Sequence, residues 1–300
     1  LPGDAKQAAA DQRWQIPLGY ALGTKLADRF QVVDYGFDPL AGDRTIELGQ
    51  PPNAASRYDG VDTDSAKSAF GKLGFSNDGD FLSLGDEGEV VQDSIDKFGA
   101  GPIGINRVAS DGDSLAFGAY EDDVSSSLGQ AGVAASDTPG VSAIADCMGD
   151  DVFEALIVDP EDGASDSVTL VGYGLQASGQ GKADVVPEVL CAAGDDGGSL
   201  SEVSTCMDSA FNDGGVDPTT QRAYEDILGH AEIENGELDG TPWVRATFQP
   251  PDSSERIGAL LQMAQQQALA GPLGADAAAA AGANATPEQV QAVSKTGCAG

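Results

Sequence analysis

The sequence holds a single histidine, His230, and only 15 Lys plus Arg in 300 residues. Any Ser-His-Asp or Cys-His arrangement must therefore use His230, which sits among Glu225, Asp226, Glu232 and Glu234. That setting suits an exposed histidine in an acidic loop better than a general base. The G-x-S-x-G elbow, the G-x-x-x-x-G-K-[ST] phosphate loop and the H-E-x-x-H zinc helix are all absent, which sets aside three large enzyme classes. No two of the four cysteines form a C-x-x-C pair, so zinc-ribbon spacing is missing too. With so few cations the chain cannot build the basic patch that nucleic acids and anionic membranes require. No apolar run reaches the roughly 18 residues of a membrane span. The opening Leu1-Pro2-Gly3-Asp4 lacks the basic and apolar regions of a signal peptide, so an exported protein would be met here in its mature form.

Acid is what the sequence has in excess. Asp plus Glu number 49, giving a net charge of −34, and 35 of these are Asp. Gly, at 40 residues, is also abundant. Asp and Gly together supply the conformations of turns, so much of the acid is expected on loops. Hydrated carboxylates at this density suit either a halotolerant or an ordinary secreted protein. Asp78-Gly79-Asp80, Asp86-Glu87, Asp122-Asp123, Asp159 to Asp166 and Asp195-Asp196 could each contribute to weak surface calcium binding, but none follows the EF-hand pattern. No cofactor is expected. Gly99-Ala100-Gly101-Pro102-Ile103-Gly104 fits G-x-G-x-x-G formally; Pro102 and the strand-like Ile105 to Val108 deny it the helix that a pyrophosphate needs.

Hydrophobic patterning divides the chain into an N-terminal helical segment (1–35), a first α+β half (36–150), a second (151–270) and an Ala/Gly-rich tail (271–300), with five alanines at 277–281. In the first half a strand ends at Tyr58 and Asp62 caps a helix that closes at Gly74. Ile105 to Val108 and Ser114 to Ala119 flank Asp111-Gly112-Asp113 as a hairpin, and helices open at Glu121 and at Thr138-Pro139. In the second half, residues 152–158, 168–175 and 185–191 read as strands and 199–211 as a helix. His230 to Ile233 and Trp243 to Phe248 form a hairpin turning at Asn235-Gly236, and a helix follows over 252–269. The expected fold is α+β, two similar β-α-β-β-α halves of mostly antiparallel sheet packed by helices.

Cys147, Cys191, Cys206 and Cys298 read as two disulfides, which require an oxidising compartment. Three connectivities are open. If Cys206 joins Cys298, closing a loop worth roughly 4 kcal/mol of chain entropy, Cys147 is left for Cys191.

Several motifs share an order found elsewhere. Gly36-Phe37-Asp38-Pro39, Leu48-Gly49-Gln50-Pro51-Pro52, Tyr58-Asp59-Gly60-Val61-Asp62, Lys72-Leu73-Gly74-Phe75, Asn106-Arg107-Val108, Asp111-Gly112-Asp113, Leu115-Ala116-Phe117-Gly118, Ala145-Asp146-Cys147-Met148-Gly149-Asp150 and Pro187-Glu188-Val189-Leu190-Cys191 together resemble a family of exported actinobacterial proteins, many of them lipoproteins. The resemblance spans residues 14–191 and carries no catalytic motif. It implies a secreted or cell-envelope location and favours the Cys147–Cys191 bridge. A lipid anchor would need a cysteine upstream of Leu1.

The functional expectation is a non-catalytic, exported envelope protein, binding or structural, whose partner is another envelope protein or a cationic surface. No catalytic or metal-binding residue is assigned. The alternatives are a carrier of lipid or a small apolar ligand, with Phe70, Phe81, Phe117 and Leu128 lining its cavity, a self-assembling surface or filament subunit, and a carboxylate-based hydrolase.

Overall fold

A computed structural model describes residues 35–38, 42–50, 53–89, 105–130, 137–160, 164–176, 186–195, 197–251, 257–266 and 268–274. The expected N-terminal helical segment up to residue 34, the G-x-G-x-x-G run, the alanine run and Cys298 lie outside them. The described residues up to Gln130 form one compact unit and those from Asp137 onward a second. Helix Pro139–Met148, read with the first half in the sequence, packs on the second unit's sheet.

In the first unit, β1 (Arg44–Gln50) and β2 (Asn53–Asp59) precede helix α1 (Thr63–Lys72). Then follow β3 (Ser76–Asp78), β4 (Phe81–Ser83), β5 (Arg107–Asp111), β6 (Ser114–Gly118) and helix α2 (Glu121–Ser127). The antiparallel sheet has the order β1-β2-β6-β5-β4-β3. Asp62 caps α1, its carboxylate accepting from Ser65 N–H at 3.0 Å, and satisfies one of the donors a helix start leaves free. Alternation along the strands sends Tyr58, Leu115 and Phe117 to one face, where they meet Phe70 of α1. Ala55, Ala109 and Ala116 go to the other, under Val124 and Leu128 of the α2 segment.

The second unit opens with α3 (Pro139–Met148) and continues through β7 (Val152–Val158), β8 (Leu170–Gln176) and β9 (Glu188–Ala193). Helices α4 (Gly197–Asn212) and α5 (Tyr224–Leu228) follow, then β10 (Ala231–Leu238), β11 (Thr241–Phe248) and α6 (Ala259–Gln265). The antiparallel sheet runs β10-β11-β9-β8-β7. Cys147 and Cys191 form a disulfide that ties α3 to β9 within a core of Ile144, Met148, Val189 and Ala193. Gly172 lets α3 approach: a Cβ there would lie 2.2 Å from Met148 Cε and 2.4 Å from Ile144 Cγ2. On the opposite face Phe248 packs edge-on against Phe211 of α4.

The α+β class and the similarity of the halves are both present. Read as β1-β2-β6-β5 and β8-β9-β11-β10, the two sheets contain the same antiparallel four-strand order. In each unit one hairpin, an intervening helix and a second hairpin succeed one another along the chain. One turn differs from the sequence reading. Strand β10 runs straight through Asn235-Gly236, and the hairpin turns at Asp239-Gly240, both with positive φ (49° and 87°). In this register Gly236 lies opposite Trp243, whose ring fills the place a Cβ would take, within 2.1 Å, so glycine is needed there for packing rather than for a turn. The expected helix over 252–269 is shorter in the structure: α6 starts only after Gly258, whose φ of 80° is left-handed, and residues 268 and 269 are not helical, while 252–256 lie outside the described set.

Candidate functional site

Two acids of the second sheet sit inside apolar strands: Glu154 on β7 and Glu188 on β9. Register places both in one cross-strand row, Glu154 opposite Leu175 and Leu175 opposite Glu188. Both therefore point to the same face, separated by a single strand, or roughly 10 Å at ordinary strand spacing. Sequence reading passed over them; the signal was present as one carboxylate in each of Val152-Phe153-Glu154-Ala155-Leu156 and Val186-Pro187-Glu188-Val189-Leu190.

Glu188 is wholly buried, and its carboxylate receives the start of α6. Oε1 accepts from Gly258 and Ala259 N–H, each at 3.0 Å, and Oε2 accepts from Leu260 N–H at 2.7 Å. Burial outweighs these three donors and pushes its pKa up to about 7. Glu154 follows a bulge between Val152 and Glu154. Its two carboxylate oxygens are buried without a hydrogen-bond partner among the described residues, and burial pushes its pKa up to about 8. A hydrolytic pair needs two carboxyls that reach one substrate bond. Glu188 has no exposed surface and already holds three amides, so these two do not form such a pair.

The exposed acid is arranged differently. Strand β10 carries Glu232, Glu234, Asn235 and Glu237 exposed, with Asp239 at the turn. The hairpin beneath is held firmly. Arg245 forms an ion pair with Glu234, donates to Cys147 C=O at 3.0 Å and lies 5.8 Å from the Trp243 ring centroid. Trp243 Nε1 donates to Asp146 at 3.1 Å. Through these contacts and the disulfide, the C-terminal turn of α3 fixes the hairpin on the sheet. At the other end Asn212 holds the backbone of Ala231 on both sides: Nδ2 donates to its C=O and Oδ1 accepts from its N–H, each at 2.9 Å.

The remaining candidates are scattered. His230 is exposed, just before β10, and Cys206 is half-buried on α4. Asp78, Asp80, Asp86, Glu87, Asp122, Asp159 and Asp195 are exposed, and Glu87 accepts from Glu121 N–H at 2.6 Å, at the start of α2. Among the described residues no group of three His, Cys, Asp or Glu is placed to hold a metal ion. No described helix is long and apolar enough to cross a membrane. Phe70 and Phe117 pack on one face of the first sheet, Phe81 and Leu128 on the other, so these four do not line one cavity. Asn106 and Arg107 act as a clamp. Asn106 Nδ2 donates to the carbonyls of Asp86 and Glu89, while Arg107 donates to Gly85 C=O and pairs with Glu121.

No family model, curated protein or solved structure matches this chain.

Proposed function

We propose that this protein is a non-catalytic binding component of the extracytoplasmic cell envelope and that its partner is another protein presenting basic residues. The observation that carries the reading is the exposed acidic hairpin β10–β11, anchored by the Cys147–Cys191 disulfide and by Arg245. A rigid, negatively charged surface favours a cationic partner through complementary potential. The disulfide is compatible with an oxidising compartment, and the resemblance to exported actinobacterial proteins and lipoproteins supports the same location.

The test is zero-length carboxylate-to-amine cross-linking in the intact envelope of the source cell. The expected product joins carboxylates of this chain to lysines of one other envelope protein, and its yield falls as salt screens the charge. Recovery of an uncross-linked chain carrying a lipid, or turnover of a cell-wall glycan lost on a single carboxylate substitution, would replace this reading with a carrier or a hydrolase.

A further inference from the structure

We propose that the outer edge of β10 is a docking strand, onto which a basic, extended segment of another protein adds antiparallel to the second sheet. The inference rests on the binding reading above and names its site and partner chemistry.

The internal likeness of the two sheets supplies the first argument. Aligned on their hairpin turns, Asp111 opposite Ser114 in one and Leu238 opposite Thr241 in the other, β5 corresponds to β10 and Val108 to Asn235. In the first sheet the outer side of β5 is occupied: β4 pairs there antiparallel, Leu82 opposite Val108 and Ser83 opposite Arg107. In the second sheet, among the described residues, no strand lies outside β10. The fold thus accepts a further strand at this position, and one unit supplies it from its own chain.

Backbone geometry supplies the second. The N–H and C=O of Ala231 are both taken by Asn212, so they point away from β11. In an antiparallel ladder the outward residues alternate, which places Ile233, Asn235 and Glu237 outward as well. The register with β11 runs unbroken over all eight residues, unlike β7, whose ladder is broken by a bulge. Asn212 already acts as a one-residue substitute for a neighbouring strand, leaving three outward positions for an incoming one.

Charge selects the occupant. Glu232 flanks the edge on one face, beside Glu234, which Arg245 of β11 already pairs, and Glu237 flanks it on the other, with no Lys or Arg in β10 itself. A second copy of β10 would bring acid against acid, which is unfavourable across strands. Lysine or arginine alternating with apolar residues meets Glu232 on one face and the half-buried Ile233 on the other.

The probe is a ten-residue peptide of alternating lysine and valine, added to the full oxidised chain at low salt. A control peptide has every valine replaced by proline, keeping the charge and losing the strand. Amide hydrogen exchange is followed residue by residue. The expected result is at least a tenfold slowing at Ile233, Asn235 and Glu237 with the lysine/valine peptide and none with the control. Asn235→Pro removes an outward N–H, a position where an edge strand tolerates proline; it should abolish the slowing while Glu232 and Glu234, bonded to β11, stay protected. Should that variant unfold, Glu232→Lys serves instead and should weaken binding several-fold. Equal binding of both peptides without protection, or outward amides already slow in the chain alone, overturns the proposal. Loss of the edge effect with the envelope cross-link retained refutes this site only; loss of both refutes the binding reading.

Discussion

Removing the carboxyl group of Glu188 tests whether this buried side chain builds the start of the second unit's α6. Glu188→Ala leaves Gly258, Ala259 and Leu260 N–H without their acceptor. Each buried, unsatisfied amide costs about 1–3 kcal/mol. Fraying of the helix start, which returns those amides to water, limits the total to about 3–6 kcal/mol. Glu188→Gln is the sharper variant. Its carbonyl oxygen can keep the two amides on one side, but its NH2 then faces Leu260 N–H, donor against donor. The pH dependence separates charge from shape. The folded pKa is raised from 4.5 to about 7, so the folded state holds the proton more tightly than the unfolded chain. This group's contribution is therefore fully present below about pH 4.5 and is lost as pH rises to about 7, a change of about 3 kcal/mol at about 1.4 kcal/mol per pKa unit. Other groups titrate in the same window, so the decisive quantity is the difference between the native chain and Glu188→Gln in urea unfolding at pH 4.5, 6 and 7.5. The variant should lose about 3 kcal/mol less over that range, with faster exchange at Leu260. Parallel pH profiles for the two proteins and unchanged exchange at residues 258–260 would refute the reasoning.

Glu154→Gln should stabilise the protein above neutral pH, because the native carboxyl, with its pKa pushed up to about 8, must be charged there without a partner among the described residues; thermal melts at pH 6 and 9 should show the gain only at the higher value. Reducing the Cys147–Cys191 bridge, whose sequence separation is 44, should cost about 4 kcal/mol in the chain-entropy account, seen as a lower urea midpoint with reductant. Gly172→Ala drives a methyl into Met148 and Ile144 and should cost about 1–3 kcal/mol by overpacking, measured in the same assay. In the first unit, burial pushes the Asp59 carboxyl up, but hydrogen bonds from Ser114, Arg57 and Arg44 outweigh it and hold the pKa below the ordinary value. Its contribution should be present above about pH 4 and fade as pH falls through the lowered pKa, so Asp59→Asn should flatten that part of the acid unfolding curve.

Local structure was legible in the sequence where one short-range cause dominates. Asp62 before an apolar-periodic stretch, Pro139 at a helix start and Asp111-Gly112-Asp113 between apolar runs each produced the element expected. The shared order of strands and helices was also readable. The pairing of β2 with β6 and of β9 with β11 was not, because these contacts join segments far apart in the chain with no local mark. Asn235-Gly236 is ambiguous because two turn-forming dipeptides lie close together; only the register with β11 shows that Asp239-Gly240 bends and that Gly236 serves to make room for the Trp243 ring. Glu154 and Glu188 were visible as letters but not as buried acids. Only the register shows that both face the side of the sheet away from α3, and only the fold brings three α6 amides to Glu188. The acidic edge of β10 was obscured for the same reason: excess acid was obvious, while which carboxylates share an open strand depends on where the hairpin turns.

The most direct test of the binding account is native mass spectrometry of the protein isolated from its own envelope at low salt, with and without reductant. The account predicts an oxidised chain in complex with a second, basic polypeptide that dissociates as salt is raised. A reduced chain carrying a lipid or another defined small molecule, with no polypeptide attached at any salt concentration, would contradict it.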